Sequence, residues 1–137
     1  NRGWGSRGRK PFSFQRVNWT GKVPFEVHEM RVKPDGFELT FTQPADIKTL
    51  SDVSSYTIET YTYIYQKGYG SPEVDGTVPV ISNATPARDG KSVRLKVGGM
   101  VKGHVHELKM PGIRRKGGEQ SLLHEVAYYT LNEIPSP

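Results

Sequence analysis

Apolar and polar residues alternate with a period of two along much of the chain, and no stretch sustains a long helical period. Phe25-Glu26-Val27-His28 alternates, and then Met30 and Val32 take over the apolar phase, which predicts a bulge near Glu29. Lys33-Pro34-Asp35-Gly36 is a turn signal, with proline pre-set for a central position and glycine free to take positive φ. Phe37, Leu39 and Phe41 then alternate with Glu38, Thr40 and Thr42, so the pair reads as a hairpin. Ala45 to Leu50 offers one helical turn at most.

Further on, Ser55 to Gln66 is the longest strand candidate, dense in Tyr, Thr and Ile. Lys67 to Gly76 reads as a polar loop. Val78 to Ala84 is another strand, and Arg88-Asp89-Gly90 a turn. Val93, Leu95 and Val97 alternate with Arg94 and Lys96, and His104, His106, Leu108 and Met110 share one face of the next strand. A Gly- and Lys-rich loop spans 111–120, and Tyr129 and Leu131 mark a last strand. Ahead of all these, Phe12, Phe14 and Arg16 alternate with Ser13, Gln15 and Val17, a short strand ending near Trp19. About seven to eight strands, with turn signals every eight to twelve residues, predict an all-β antiparallel sandwich. Residues 1–22 read as a leading segment and 23–137 as the sandwich.

Charge changes this picture only at the front. The chain has 137 residues and a formal charge of +5. Residues 1–22 hold six basic side chains and no acidic one, leaving 13 basic against 14 acidic, or −1, for the rest. A nearly neutral body argues against nucleic acid, which asks for basic residues spread over a folded face. Trp4 among Arg2, Arg7 and Arg9 does not alter that. The absence of cysteine excludes disulfides and thiolate metal sites. Apolar runs of a few residues predict no membrane insertion. With Asn1 at the front and no signal segment behind it, the chain reads as a mature piece of a larger protein.

The tyrosines are the most informative feature. In a continuous strand Tyr61, Tyr63 and Tyr65 point to one face, and Ile58, Thr60, Thr62 and Ile64 to the other. Neighbours two apart are separated by about 6.7 Å, so the three rings would form a row roughly 13 Å long. Glu59 lies in phase with them and would be costly to bury unpaired, so the isoleucine face is the expected core face. Three amphipathic rings, with Tyr69 in the adjoining loop, would then suit a carbohydrate chain: ring faces for its C–H surface, hydroxyls for its own. The opposing reading packs the rings on neighbouring strands or beneath Phe12, Phe14 and Trp19.

Other constellations are thinner. His104 and His106 on one strand face are the metal candidates, with Met30, Met100 or Met110 as soft ligands for copper, but two imidazoles need a third ligand. Because Leu108 and Met110 continue that face, His106 reads first as a half-buried core residue. Glu73 and Asp75 imitate a carboxylate pair, yet Asp75-Gly76 reads equally as a turn. No nucleophile elbow and no phosphate loop appears, so neither an enzyme nor a bound cofactor is expected.

Two blocks carry a resemblance. VISNATPARDGKSVRLKVGGMVKGHVHELKMPGIRRKGGEQSLLHEVAYYTL, residues 80–131, looks like the second half of bacterial immunoglobulin-like modules, with His106 in the usual aromatic place and Gly117 to Leu122 in the place of their last loop. PDGFELTFTQPAD and DVSSYTI, within 34–58, resemble the first half. The whole order, from RGWGSRG through FQRVNWTGKVPFEV to LLHEVAYYTLN, is similar to the C-terminal end of large exported bacterial proteins. Those join a β-propeller related to glucose/sorbosone (PQQ-type sugar) dehydrogenases to haem-binding or accessory domains. The resemblance implies an immunoglobulin-like sandwich following a propeller, whose last strands would be residues 1–21, and a periplasmic or extracellular location. The family's catalytic residues would lie in the propeller, so none transfers to a position here.

The expectation is a non-catalytic accessory module that binds a polysaccharide or oligosaccharide through Tyr61, Tyr63, Tyr65, Tyr69 and Glu59, beside a propeller or haem domain of the same chain. A structural spacer and a copper-binding or electron-transfer partner are the alternatives.

Overall fold

A computed structural model of the chain describes residues 14–136. Among them are eight strands: β1 (Val27–Lys33), β2 (Gly36–Phe41), β3 (Thr57–Tyr63), β4 (Glu73–Thr77), β5 (Val80–Pro86), β6 (Ser92–Gly98), β7 (His104–Lys109) and β8 (Val126–Leu131). They form two four-stranded antiparallel sheets, ordered β1-β2-β6-β5 and β4-β3-β7-β8. This is the strand order of the immunoglobulin fold, with one extra strand, β4, on the second sheet. The expected all-β, immunoglobulin-like sandwich is the one observed.

Period-two patterning explains the inner layer. Phe37, Leu39 and Phe41 of β2 face Ile58 and Leu108 from the other sheet, with Val93, Leu95 and Val97 of β6 beside them, and all are buried. Each such side chain contributes about 1.5–3 kcal/mol by leaving water. The β1–β2 turn falls at Pro34-Asp35, and the register shifts between Val27 and Glu29, where the change of apolar phase foretold a bulge. Glycine is required at 36, because a Cβ there would sit 2.0 Å from the Leu95 carbonyl oxygen.

One short helix, α1 (Ile47–Ser51), crosses from one sheet toward the other. The Asp46 carboxylate caps it by accepting from Lys48 N at 2.9 Å and Thr49 N at 3.2 Å. A 3-10 turn, Val53–Ser55, then delivers the chain to β3.

Three expectations need correction. The strand anticipated over 55–66 is confined to 57–63: Ser55 sits in the 3-10 turn, and after Tyr63 the chain leaves the sheet for a glycine-bearing turn. The loop expected over 67–76 contains most of β4, whose residues gain hydrogen bonds from β3 and need no core face. Phe14 to Trp19 form no strand and are exposed, while Phe12 lies outside the described residues. Phe14 and Trp19 therefore do not roof the tyrosines.

Candidate functional site

The outer face of the β4-β3-β7-β8 sheet follows directly from strand parity. Ile58 and Thr60 point inward and are buried, so Glu59, Tyr61 and Tyr63 point outward. Tyr61 and Tyr63 pack edge to face, with ring centroids 5.6 Å apart and planes at 85°, an arrangement that ring quadrupoles favour. Tyr61 is half-buried and Tyr63 is 48% exposed.

Tyr65 and Tyr69 do not join them. Both lie beyond the end of β3 and are fully exposed, so the anticipated row of three is a pair. Ile64, expected in the core, is likewise outside the strand and exposed, and Thr60 and Thr62 occupy the inner phase after Ile58. A third ring does share the face, supplied by another strand. Tyr128 of β8 stands opposite Glu107, which stands opposite Glu59, in one row across three strands. Tyr128 is 63% exposed and lies about 10 Å from the β3 end of that row. Its signal was present in sequence: of the adjacent pair Tyr128-Tyr129 only one ring can face inward, and Tyr129 packs on Phe37 at 5.5 Å.

The charges between the rings are organised around Lys109. Glu59 and Glu107 oppose each other in register, and the Lys109 ammonium bonds to both, the latter at 3.3 Å. These bonds, Glu59 first, raise the Lys109 pKa. Glu107 is the more shielded carboxylate, and it accepts a hydrogen bond from the Tyr61 hydroxyl at 3.2 Å. Polar contact with Tyr63, then burial, then Glu107 push the Tyr61 phenol above the usual tyrosine range. It stays neutral, a donor and a stacking surface.

Concavity is supplied beside this pair. The β3–β4 register shifts between Thr60 and Thr62, and Asp75 takes a left-handed φ of 55°. The irregularity opens a cavity of about 290 Å³ lined by Glu59, Tyr61, Glu73, Val74 and Thr77, among others. Two carboxylates, a phenol and a valine thus meet at a hollow continuous with the tyrosine face. Such a surface can stack on a ring and accept hydrogen bonds.

The histidine pair is a different environment. His106 is fully buried, not half-buried, its ring tilted 57° to that of Phe37 with centroids 5.5 Å apart, and its Nε2 accepts from Val101 N at 3.4 Å. That bond ties the ring, early in β7, to backbone five residues upstream. Burial lowers its pKa. The Nδ1 atoms of His104 and His106 and the Thr60 hydroxyl are buried without a hydrogen-bond partner among the described residues. No group of three His, Cys, Asp or Glu side chains able to hold a metal occurs among those residues.

No family model and no curated protein matches the chain. Three solved structures do. The crystal structure of the N-terminal part of the bacterial S-layer protein SbsC is similar with a TM-score of 0.59 and 17% identity, over 80% of this chain and 24% of that one. The S-layer protein rSbsC(31-844) and surface layer protein SbsC, domains 1-6, each give 0.60 and 17%, over 84% of this chain and 14% of theirs. The chain thus spans a quarter or less of the structures it matches. All three are structures of one S-layer protein, and at this identity the likeness speaks for the fold alone.

Proposed function

We propose that this chain is a non-catalytic, immunoglobulin-like module of an exported bacterial surface protein, and that it holds a polysaccharide on the open face of its second sheet. The observation that carries the reading is the Tyr61–Tyr63 pair, left outward and paired edge to face beside a hollow rimmed by Glu59 and Glu73. Tyrosines that folding does not need in the core are the economical way to offer ring faces and hydroxyls together. The location rests on the S-layer likeness, and the place of the module behind a sugar-oxidising propeller rests on the sequence resemblance alone. Affinity per site is low, because a shallow platform desolvates few groups.

Affinity electrophoresis through gels containing soluble neutral polysaccharides tests the idea. Retardation by at least one glycan is expected, with loss in Tyr63→Ala and a stability change within about 0.5 kcal/mol, as for an exposed side chain. The rival reading, a structural spacer, draws on the way Tyr61, Glu107, Lys109 and Glu59 already satisfy one another. If no glycan retards the protein and Tyr63→Ala lowers the melting temperature by many degrees, the spacer stands and the platform is withdrawn.

A further inference from the structure

A sandwich of two open sheets has four edge strands, and unpaired edges template pairing with other chains unless they are blunted. Three edges here carry such protection. β1 is bulged between Val27 and Glu29 and bears Glu29, Arg31 and Lys33. β4 is short, follows Pro72, and is broken by the left-handed Asp75. β5 is flanked by Pro79, ends on Pro86 and shifts register between Ile81 and Asn83. The fourth, β8, is different. Its sequence, Val-Ala-Tyr-Tyr-Thr-Leu, contains no charge, proline or glycine, and its pairing with β7 runs without a register shift.

Parity identifies which backbone groups that edge presents. The carbonyls of Glu125 and Leu131 accept from Met110 and Gly103 on the β7 side, at 2.7 Å each. The alternate residues, Val126, Tyr128 and Thr130, therefore turn their N–H and C=O groups away from β7. β1 of the opposite sheet runs close to β8, but its ladder partner is β2.

We propose that β8 is a pairing edge through which two copies of this chain join, β8 against β8, into one continuous eight-stranded sheet. The side chains favour a self-pair over a foreign strand. In an antiparallel two-fold register centred on Tyr128, Tyr128 meets its own copy, Val126 meets Thr130, and small Ala127 meets large Tyr129. Glu125 meets Leu131 and Glu133 meets Leu123, so no like charges oppose. Aromatic and β-branched cross-strand pairs of this kind are the stabilising ones. Leu123, left 62% exposed in the single chain, gains cover at the ends of the ladder. The association is closed and isologous, so it stops at a dimer, and it does not depend on sugar binding.

Sedimentation velocity over a wide concentration series, with hydrogen exchange at its two extremes, tests the pairing on the full chain. Dimer is expected at high concentration, together with slowed exchange of the Tyr128 and Thr130 amides. Tyr128→Pro removes only an outward N–H, a position where edge strands tolerate proline, and Tyr128→Lys sets two like charges face to face on the axis. Each should weaken the dimer about tenfold or more while circular dichroism stays native; if the proline variant does not fold, the lysine variant decides. A wild-type chain that stays monomeric throughout overturns the proposal, as do folded variants that dimerise like wild type. Slow exchange of those amides already in the monomer would also overturn it, since the edge would then be covered within the single chain.

Discussion

The two sheets differ on both their outer and their inner faces. On the outside of β1-β2-β6-β5, charges alternate in register: Arg31 opposite Glu38, Glu38 opposite Arg94, with Lys33 also bonded to Glu38 at 3.3 Å. Among the described residues no aromatic ring interrupts that lattice. The outside of β4-β3-β7-β8 instead carries Tyr61, Tyr63 and Tyr128 around a single Glu–Lys–Glu cluster. Inside, the order reverses. The first sheet contributes a purely apolar layer, whereas the second sets Thr60 opposite His106 at its centre. One sheet is apolar within and charged without, whereas the other accepts polar atoms within and aromatic rings without.

The largest effect should come from the apolar layer. Phe37 is fully buried and touches both His106 and Tyr129 across the sandwich. Phe37→Ala is expected to cost about 3–5 kcal/mol, the range for emptying a packed aromatic site, as measured by urea unfolding. A loss below about 1 kcal/mol would mean the inner layers are not packed against each other there, and the contrast between faces would lose its basis.

A smaller effect, and one confined to the second sheet, comes from pH. Burial keeps the folded His106 neutral below the ordinary histidine pKa of 6.5. The unfolded chain binds a proton there that the folded chain refuses, so stability is full above about pH 6.5 and declines as pH falls toward the folded value. The slope from this residue is at most about 1.4 kcal/mol per pH unit. His106→Gln should flatten the decline between about pH 6.5 and 5, whatever it does to stability at pH 8. An unchanged slope would assign the acid sensitivity elsewhere.

What could be read in advance follows the same division. The hairpin and the Val93-Leu95-Val97 strand were legible because a one-sided core stamps a period of two on the chain. β4 was not, because Glu73, Asp75, Gly76 and Thr77 are all exposed and are a strand only through β3. Glu59 and Tyr61 were placed on the outer face correctly, since a buried Ile58 settles the parity of β3. Tyr65 was not, because strand length depends on where the partner strand ends rather than on composition. Tyr128 was missed because its neighbours on the face come from β3 and β7, which only register can bring together.

The smallest effects separate the two charge patterns themselves. Lys33→Met leaves Glu38 between Arg31 and Arg94, so stability should hardly change, as is usual for exposed pairs. Lys109→Met leaves Glu59 and Glu107 facing each other with no cation between them. Like charges directly opposite across strands are unfavourable. The melting temperature should therefore drop more for Lys109→Met than for Lys33→Met at neutral pH and low salt. The gap should narrow in high salt, where exposed charges are screened. Equal, salt-independent losses in both variants would mean that Lys109 acts through the packing of its methylenes against the tyrosine face, and that the two outer surfaces differ in composition but not in electrostatics.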